Sequence, residues 1–597
     1  MNRRELLKSA CALALSTASR GVHAAAGRRV RPSDPDWPSA AQWQSLKDEV
    51  GGRLVEGKPL LDACTVDRTG SACAALLKDA LNPYWVGDQR QGTMTVAWLD
   101  GWTSKPSAYV VEAASAGDIA AAVNFAREHR LRLAVKGGGH SYQGTSNAQD
   151  SLLVWPRAMN DITLHDAFVP QGMAGTVAPI PAVSLGAGCI WMPVYDAVTV
   201  RAGRYVQGGG CATVGVAGLI SSGGFGSFSR AFGTAAAGLL EAEIVTADGT
   251  VRIANRVTNP ELFWAIKGGG GGSFGILTRI TLKTHVPPKT FGRAVGTIRA
   301  KDDRAFATLV ARFVDHYARR LDTPHWGETA TIGKDNAIDI GMVFQGLTQS
   351  EAEALWQPFL MWVKSQSALT LDAPFVIQAV APRDWWSAAY RLKNQPDGVL
   401  ADDRPGAPAN HVWFKEESGE LGAFIHGFRS LYLPDRLLAH DRRERLSNAL
   451  FRASRHWPVA LHFNKGLGSS SPAVKAAVRD TAMTPATLSA FALAIVSGGA
   501  NNSYAMLVDG EGDLSPARRN AAAIAAADRE LRRLVPDASS YGSEGDYFDR
   551  GWKRAYWGPH YPRLRRVKDR YDPEGLFIVH NGVGSEDWSA DGFTRIA

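Results

Sequence analysis

Apolar residues along positions 107–135 change from strand-like to helix-like spacing and back. The run AYVVEA predicts a short strand. In the following SAGDIAAAVNFAREHR, Ile119, Val123 and Ala126 fall on one face of a helix, and Ser115 stands where a capping residue is expected. LRLAV then alternates apolar and polar positions, as a half-buried strand does. The pattern predicts a β–α–β unit that leads directly into VKGGGHSYQG.

Later segments mix strand and helix patterns. EAEIVTADGTVRIAN predicts a hairpin with Asp248 and Gly249 in its turn, and ILTRITLKTH predicts the next strand. SPARRNAAAIAAADRELRRL predicts a long helix with Pro516 at its first position, whereas SYAMLV has the apolar run of a strand. WKRAYWGPHYPRLRRVKDRYDP predicts a helix that ends before Pro573. Together these segments predict an α+β fold.

Glycine clusters occur throughout the first half of the chain and stop at about residue 296. They are KGGGHS at 136–141, GGGCATVGVAG at 208–218, SSGGFG at 221–226 and GGGGGSFG at 268–275. Consecutive backbone N–H groups in such loops form a concave site for an anion such as a pyrophosphate. His140 in the first cluster cannot bury itself in a core, so we expect it to point along a bound ligand. The glycine-rich half therefore predicts a ligand-binding domain, and the rest of the chain up to residue 540 predicts a second, inserted domain.

Two motifs in the last cluster suggest other chemistry. Gly270 to Gly275 fits G-x-G-x-x-G, but a dinucleotide-binding fingerprint follows a strand and opens a helix, and here that order is reversed. Gly271-x-Ser273-x-Gly275 fits the nucleophile motif of a serine hydrolase, again in reversed order and with no obvious base for Ser273. The first interpretation is rejected, and the hydrolase stays as an alternative. No H-E-x-x-H or C-x-x-C pair is present, so no metal site is predicted.

Charge and composition exclude several classes of function. Hydrophobic residues make up 45% and charged residues 21% of the 597 positions, as in ordinary globular proteins. Part of the formal charge of +8 lies in residues 1–26, and no basic run is interleaved with aromatic residues, so nucleic-acid binding is not predicted.

Residues 1–26 combine Arg3-Arg4, a short apolar stretch and small residues, which predicts a twin-arginine signal peptide and export to the periplasm or the extracellular space. No later apolar stretch is long enough for a membrane span, so membrane insertion is not predicted.

The five cysteines fit an exported protein. Cys11 leaves with the signal peptide, and an oxidising compartment favours a disulfide between Cys64 and Cys73 in the polar, helical lead-in at 27–94. Cys189 lies in an apolar stretch, where we expect it to be buried and inert. Cys211 is left over in the second glycine cluster, and an unpaired cysteine in an exported protein needs a reason.

Four motifs occur in a fixed order: GGGHSYQG, GGGCATVGVAGLISSGGFG, ELFWAIKGGGGGSFGILTRITL and YWGPHYPRLRRVKDRYDPEGLF. They resemble the berberine bridge enzyme family, which belongs to the flavoproteins similar to vanillyl-alcohol oxidase and p-cresol methylhydroxylase (PCMH). The resemblance covers residues 107–285 and 541–585, and the middle of the chain matches weakly. It implies a PCMH-type FAD-binding domain at 95–295 and a substrate domain at 296–540, whose antiparallel sheet is covered on one face by helices. Residues 541–597 are then expected to return to the FAD domain.

The resemblance implies FAD held by two covalent bonds. His140 occupies the position of the histidine that bonds to the 8α-methyl group of the flavin, and Cys211 occupies the position of the cysteine that bonds to C6. Imidazole and thiolate are the side chains able to attack this electrophilic edge. Two bonds also keep the cofactor in a protein exported to a compartment that does not supply FAD. The other cofactor contacts implied by the family are Gly137, Gly138, Gly139 and Ser141 at the pyrophosphate, Gly144, Thr213, Gly215, Gly218, Gly223, Gly224 and Gly226 where the chain passes close to the cofactor, Gly275 and Ile276 near the adenine half, and Asn581 where the chain returns to the flavin.

The resemblance also implies a reaction. A hydride passes to the flavin from an alcohol-bearing carbon of a small-molecule substrate, which is a sugar, a phenolic alcohol or a secondary metabolite, and O2 then gives H2O2. Val214 resembles the family's oxygen gate, where valine accompanies oxidase behaviour. A dehydrogenase with another electron acceptor and a flavin-binding protein without turnover stay as alternatives.

The reaction needs a side chain that removes the hydroxyl proton. The family carries Y-x-N before its C-terminal helix, and SYGSEGDYF offers Tyr541 with Ser543 in place of the asparagine. An unperturbed tyrosine titrates near ~10, so Tyr541 needs a neighbour to act as a base near neutral pH. WFKEES offers Glu416 and Glu417 from the second domain. We rank Tyr541 first and Glu417 second.

Overall fold

The computed structural model describes residues 27–596, so the predicted signal peptide at 1–26 lies outside the described residues. The strands are β1 (Leu54–Glu56), β2 (Thr95–Trp98), β3 (Trp102–Thr103), β4 (Tyr109–Glu112), β5 (Arg132–Val135), β6 (Ser151–Trp155), β7 (Ile162–Phe168), β8 (Ile180–Gly186), β9 (Tyr205–Val206), β10 (Leu239–Val245), β11 (Val251–Ala254), β12 (Ile276–His285), β13 (Phe291–Ala300), β14 (Trp326–Ile332), β15 (Ala337–Gln345), β16 (Leu369–Leu371), β17 (Val376–Val380), β18 (Val399–Ala401), β19 (Val412–Phe414), β20 (Ala423–Pro434), β21 (Val459–His462) and β22 (Ala490–Ala500).

Helices connect these strands and cover their sheets. The α-helices are α1 (Ala40–Glu49), α2 (Asp62–Val66), α3 (Ser71–Asp79), α4 (Pro83–Asp88), α5 (Ala116–Glu128), α6 (Trp191–Tyr195), α7 (Val216–Ser221), α8 (Ser229–Phe232), α9 (Pro260–Ile266), α10 (Asp303–His316), α11 (Gln349–Ser365), α12 (Pro382–Trp386), α13 (Ala388–Asn394), α14 (Arg443–Ser454), α15 (Pro472–Arg479), α16 (Met506–Asp509), α17 (Ser515–Leu534), α18 (Trp552–Tyr556) and α19 (Tyr561–Tyr571). Turns of π-helix extend α6 through Asp196–Arg201 and α10 through Tyr317–Leu321.

The glycine-rich half of the chain is built on two sheets. A four-stranded sheet has the order β1-β4-β6-β5, and in it β4 and β5 both run parallel to β6. Between them lies α5, whose N-terminal N–H at Asp118 donates to the Ser115 hydroxyl, so the predicted β–α–β unit and its cap are confirmed. An antiparallel sheet of order β11-β10-β12-β8-β7 adds the predicted hairpin and the strand that follows the last glycine cluster, and β9 also pairs with β12.

The second half of the chain forms a ten-stranded sheet of order β16-β13-β15-β14-β21-β22-β20-β2-β3, with β17 also pairing with β13. Its strands are antiparallel except for β2, which runs parallel to β20. Apolar side chains of α10, α11, α14 and α17 pack on one face and form a single core with the sheet. The expected antiparallel sheet covered on one face by helices is therefore confirmed, as is the α+β class.

The structure differs from two local expectations. The hairpin of β2 and β3 was expected in the FAD domain, but it pairs with β20 of the large sheet, because strand pairing depends on distant partners that the local pattern does not specify. The SYAMLV segment, residues 503–508, forms a turn of 3-10 helix and then α16 instead of a strand. The left-handed Asn502 (φ 54°) turns the chain out of β22, and Tyr504 then buries its ring and donates its hydroxyl to the Thr93 carbonyl at 3.1 Å.

The cysteines behave as the sequence indicated. Cys64 in α2 and Cys73 in α3 form a disulfide. Burial raises the pKa of the Cys189 thiol to about 12, which fits an inert residue. Cys211 is not in a disulfide and is half-buried. Within residues 27–596, none of the helices has both the length and the apolar character needed to cross a bilayer.

Candidate active site

The glycine clusters meet the large sheet around a cavity of about 1350 Å³. Typical small-molecule sites have volumes of about 300–1,000 Å³, so this cavity has room for a large cofactor together with a substrate. Its wall contains parts of all four glycine clusters, the tip of the β2–β3 hairpin, side chains of the large sheet and the C-terminal segment. Three parts of the chain that are far apart in sequence therefore build one site.

The loops that carry His140 and Cys211 cross at glycines. A Cβ atom on Gly138 would lie 2.6 Å from both the Gly215 nitrogen and the Thr213 carbonyl oxygen, and one on Gly215 would lie 2.7 Å from the Gly138 nitrogen. No side chain fits at either position without moving backbone. Glycine at both positions therefore allows the first two clusters to lie side by side. As a result, His140 and Cys211 both line the same cavity.

His140 has a partner at each ring nitrogen. Its Nε2 lies 2.9 Å from the Thr213 hydroxyl, and its Nδ1 lies 3.4 Å from Oε2 of Glu420. The other oxygen of Glu420 accepts a hydrogen bond of 3.0 Å from the Tyr142 hydroxyl. Glu420 ends a 3-10 turn, Lys415–Glu420, so a segment far along the chain contacts the first glycine loop directly at the histidine.

Glu420 is ionised at neutral pH. Burial acts to raise the pKa of its carboxyl group, but the contacts with His140 and Tyr142 and the charge of Lys465 outweigh burial and hold the pKa below the usual range. Glu417, the residue predicted from the sequence, lies in the same turn, whereas Glu420 was not predicted. Residues three apart share a face of a 3-10 helix, so the sequence places Glu417 and Glu420 on one face. It does not determine which of the two faces His140.

Cys211 lies in the cavity wall among carboxyl groups. Burial raises the pKa of its thiol well above the usual value, and the nearby carboxyl groups of Glu420, Glu417 and Glu328 raise it further. The thiol is therefore uncharged at neutral pH, and a general thiol reagent should find it less reactive than an exposed cysteine.

Glu417 lies behind Cys211 and does not form part of the cavity wall. Its Oε2 accepts a hydrogen bond of 3.0 Å from the Ala212 N–H. Burial is the main cause that raises the pKa of Glu417 to about 8, and Glu420 adds to it. Glu417 is therefore protonated at neutral pH and supports the backbone next to Cys211.

Replacing Glu417 with glutamine is expected to stabilise the protein above pH 8 and to change little below pH 4.5. The unfolded chain loses this proton as the pH passes about 4.5, whereas the folded chain keeps it until about 8, so the folded state loses stability across that window. Glutamine cannot ionise and escapes the loss. Thermal unfolding midpoints across the window test this, and parallel pH profiles for the two proteins would contradict it.

Tyr541 contributes its phenol to the cavity wall. The ring is buried and packs edge-on against Phe225 with the centroids 5.1 Å apart. Burial raises the pKa of the phenol, and the neighbouring Glu544 raises it further, so the group is protonated near neutral pH. Glu544 itself forms an ion pair with Lys465, whose ammonium lies 2.5 and 2.6 Å from the two carboxylate oxygens.

Glu328 was not anticipated from the sequence. It lies within β14 but has a left-handed backbone with φ 58°, a conformation that costs a residue other than glycine on the order of 1–3 kcal/mol. Its carboxyl group lines the cavity and accepts a hydrogen bond of 3.3 Å from the Asn464 amide. Burial raises the pKa of this carboxyl group. The sequence WGETATI has the ordinary pattern of a strand and gives no sign of the strain.

The predicted cofactor contacts divide into two groups. Those that line the cavity are Gly137, Gly138, Gly139, Ser141, Gly144, Gly215, Gly218, Gly226, Gly275, Ile276 and Asn581, together with Val214. Thr213, Gly223 and Gly224 lie behind it: Thr213 bonds to His140, and Cβ atoms on the two glycines would meet Met483 and Leu219 at 2.3 and 2.7 Å. Cβ atoms on Gly137 and Gly218 would meet nothing within 4 Å and would enter the cavity. This open, glycine-walled cradle fits the bulk of FAD.

Ser273 does not behave as a nucleophile. Its hydroxyl is buried, lies outside the cavity wall and has no hydrogen-bond partner among the described residues. A hydrolytic serine needs access to substrate and a base, and Ser273 has neither. Residues 27–596 also contain no group of three or more metal-binding side chains that could hold a metal ion.

Comparison with known proteins agrees with this geometry. Residues 106–255 match the model of an FAD binding domain, and residues 528–584 match a model described as berberine and berberine like. The VAO-type flavoprotein oxidase VAO615 of Thermothelomyces thermophilus is 27% identical over 95% of this chain and 95% of its own length.

Solved structures share the fold over nearly the whole chain. The VAO-type flavoprotein MtVAO615 from Myceliophthora thermophila C1 has a TM-score of 0.78 at 23% identity, covering 95% of this chain and 100% of that one. The glucooligosaccharide oxidase from Acremonium strictum, described with a 6-S-cysteinyl, 8α-N1-histidyl FAD, has a TM-score of 0.62 at 18% identity, covering 84% of this chain and 95% of that one. This chain is therefore an FAD-dependent oxidoreductase, in which an FAD binding domain precedes a C-terminal segment similar to berberine bridge enzyme.

Proposed function

We propose that the protein is an oxidase that carries FAD bound covalently through His140 and Cys211. The observation that carries the proposal is the crossing of the two glycine loops at Gly138 and Gly215, which places an imidazole and a thiol in the wall of one cavity. The bound flavin would supply acceptance of a hydride from an alcohol-bearing carbon and transfer of its electrons to O2. The glucooligosaccharide oxidase described above, with its cysteinyl and histidyl FAD, supports this pair of attachments by analogy.

The remaining residues of the wall would hold the substrate. Tyr541 is our candidate for the group that contacts the substrate hydroxyl. Its phenol is protonated near neutral pH, so it can hydrogen-bond to that hydroxyl, but a second group nearby must accept the hydroxyl proton. The cavity-facing carboxyl group of Glu328 can act as that acceptor, a role for which Glu417 is badly placed because it lies outside the wall. Val214, which lines the cavity in the same glycine cluster as Cys211, is the candidate for control of oxygen access.

Covalent attachment fits the proposed export of the protein. We place residues 1–26 as a twin-arginine signal, a route that carries proteins folded before export. A cofactor attached before export cannot be lost afterwards, in a compartment without a supply of FAD.

An oxygen electrode tests the oxidase activity. The purified protein is offered sugars, phenolic alcohols and other alcohols, and O2 uptake and H2O2 formation are recorded together. We expect at least one class to consume O2 with an equal amount of H2O2 formed. Substrates that bleach the flavin under argon but consume no O2 in air would indicate a dehydrogenase, and a flavin that no substrate bleaches would contradict the proposal.

Gly218→Ala is expected to weaken FAD binding by about tenfold, which corresponds to about 1.4 kcal/mol. The new methyl group enters the cradle without touching the protein, so the fold should be unaffected. Gly238→Ala is the matched control, since a Cβ there also meets nothing within 4 Å but Gly238 does not line the cavity. FAD titrations in a His140→Ala, Cys211→Ala background, where binding is reversible, measure both. Equal affinities would show that FAD does not occupy this cradle.

A further inference from the structure

We infer that the two ends of the described chain form a latch over one end of the cavity, and that this latch opens to let FAD enter and leave. The inference rests on the proposed binding of FAD in the cavity. The latch consists of residues 27–31 and a hairpin formed by residues 588–595. Residues 588–592 line the cavity, whereas residues 27–31 lie outside its wall and contact the hairpin from behind.

Backbone hydrogen bonds join the two parts of the latch. The Arg29 N–H donates to the Phe593 carbonyl at 2.8 Å, and the Arg595 N–H donates to the Gly27 carbonyl at 2.7 Å. Two short strands paired only with each other are marginally stable in water. Side-chain contacts must therefore decide whether the latch stays closed.

The latch lies at the end of the cavity where the adenine half of FAD is expected beside Gly275 and Ile276. Val30 forms a parallel bridge with Leu131, immediately before β5, and both side chains belong to the same apolar core as Ile276. From there β5 leads into the first glycine cluster, the expected site of the pyrophosphate. An FAD bound in this direction would have its adenosine end next to the latch.

Arg31 closes the cavity-facing part of the latch. Its guanidinium forms ion pairs with Asp591 at 2.6 Å and with Asp150 at 3.0 Å, and its Cζ atom lies 3.6 Å from the centre of the Phe593 ring. Asp591 lines the cavity, and Asp150 lies in the loop after the first glycine cluster. The Arg31 side chain is 30% exposed, so these contacts are weak and can break while the fold stays intact.

Arg29 holds the base of the hairpin from outside the cavity. Its Cζ atom lies 4.2 Å from the centre of the Trp588 ring. Its guanidinium donates to the carbonyls of Gly575 and Leu576, to the latter at 3.2 Å. The Arg29 side chain is buried, so its loss would also lower the stability of the fold, and Arg31 is the better residue for a test.

The bridge between Arg28 and Thr594 allows the latch to be locked. Two backbone hydrogen bonds flank this antiparallel pair, so its Cα atoms should be about 4.5 Å apart, within the range that a disulfide spans. Arg28→Cys and Thr594→Cys are combined with His140→Ala and Cys211→Ala, which make FAD binding reversible. Association and dissociation of FAD are followed by its fluorescence. Oxidation of the new pair should slow both rates by at least about tenfold, and reduction should restore them.

Treatment of the His140→Ala, Cys211→Ala protein with the same oxidant and reductant is the control for the Cys64–Cys73 disulfide. Its rates should stay the same in both treatments, because the disulfide lies outside the latch. A change that equals that of the cross-linked protein would overturn the latch.

Arg31→Gln loosens the latch and should have the opposite effect. Loss of two part-exposed ion pairs and one cation–π contact should raise both rates by about tenfold, while Kd changes little because a gate acts on both directions alike. Arg299→Gln is the matched control. Arg299 also pairs with two aspartates, at 2.8 and 2.9 Å, but it lies in β13 and outside the cavity wall, so its loss should leave both rates unchanged.

The outcomes separate the latch from the proposed cofactor site. A cross-linked protein that exchanges FAD as fast as its reduced form would overturn the latch. A change in dissociation alone would also overturn it, because it would indicate direct contact with FAD instead of a gate. Should the double-cysteine protein fail to fold, Arg31→Gln decides, and rates equal to those of Arg299→Gln would overturn the latch. Gly218→Ala tests the cradle separately, and unchanged FAD affinity there would overturn the proposed site and the latch together.

Discussion

Replacing Arg230 with methionine is expected to lower the free energy of unfolding by about 3–5 kcal/mol. Arg230 belongs to α8, beside the third glycine cluster, yet its side chain is only 1% exposed because it enters the large sheet's side of the molecule. There its guanidinium donates to Asp322 at 2.8 Å and to the carbonyls of Phe463, Gly466 and Phe491 at 2.9, 3.0 and 2.5 Å. Methionine fills much of the space but removes all four hydrogen bonds and leaves the Asp322 carboxylate without its counter-ion.

Denaturant unfolding of the variant measures this loss. Arg518→Met is the control, because Arg518 also pairs with an aspartate, Asp100, but both side chains are more than half exposed. Exposed ion pairs contribute about 0–1 kcal/mol, so the control should change little. A loss below about 1 kcal/mol for the Arg230 variant would mean that the fold does not depend on this contact.

Replacing Lys568 with methionine is also expected to lower the free energy of unfolding by about 3–5 kcal/mol. Lys568 in α19 is 3% exposed and Asp572 is 0% exposed, and their charges are 2.6 Å apart. The same ammonium donates to the carbonyls of Ser273 at 2.7 Å and Phe577 at 2.5 Å. The variant leaves the Asp572 carboxylate buried without its counter-ion and removes a hydrogen bond between the C-terminal segment and the fourth glycine cluster.

The matched control for Lys568 is Arg566→Met on the exposed side of the same helix. A surface substitution of this kind usually changes stability by less than about 0.5 kcal/mol. Thermal unfolding followed with and without FAD distinguishes loss of global stability from loss of the cofactor site. An unfolding midpoint equal to that of the control would contradict a structural role for this buried pair.

Local features of the fold were predictable because their determinants lie within a few residues of one another. Ser115 caps α5 through a contact three residues away, and Asp248-Gly249 closes the hairpin between adjacent strands. Partners far along the chain were not predictable. The β2–β3 hairpin joins the large sheet, and Tyr504 becomes helical beneath the Thr93 carbonyl, through contacts that no local pattern encodes.

Residues of the candidate site were predictable where they belong to a sequence motif. They were not predictable where packing between distant parts of the chain positions them. His140 and Cys211 stood out because glycine clusters surround them, and the structure brings both to one cavity. WFKEESGE offers several carboxylates in one turn, and only the packing of the second domain decides that Glu420 meets His140 while Glu417 meets the backbone. Glu328 gave no signal at all, because backbone strain is a property of the folded chain.

The measurement that tests the central claim most directly is mass spectrometry of the acid-denatured, protease-digested protein. The account predicts one FAD that joins the peptide containing His140 to the peptide containing Cys211. FAD on the His140 peptide alone would leave the oxidase proposal standing but make Cys211 a structural residue. A protein that binds FAD yet releases all of it on denaturation would contradict the account.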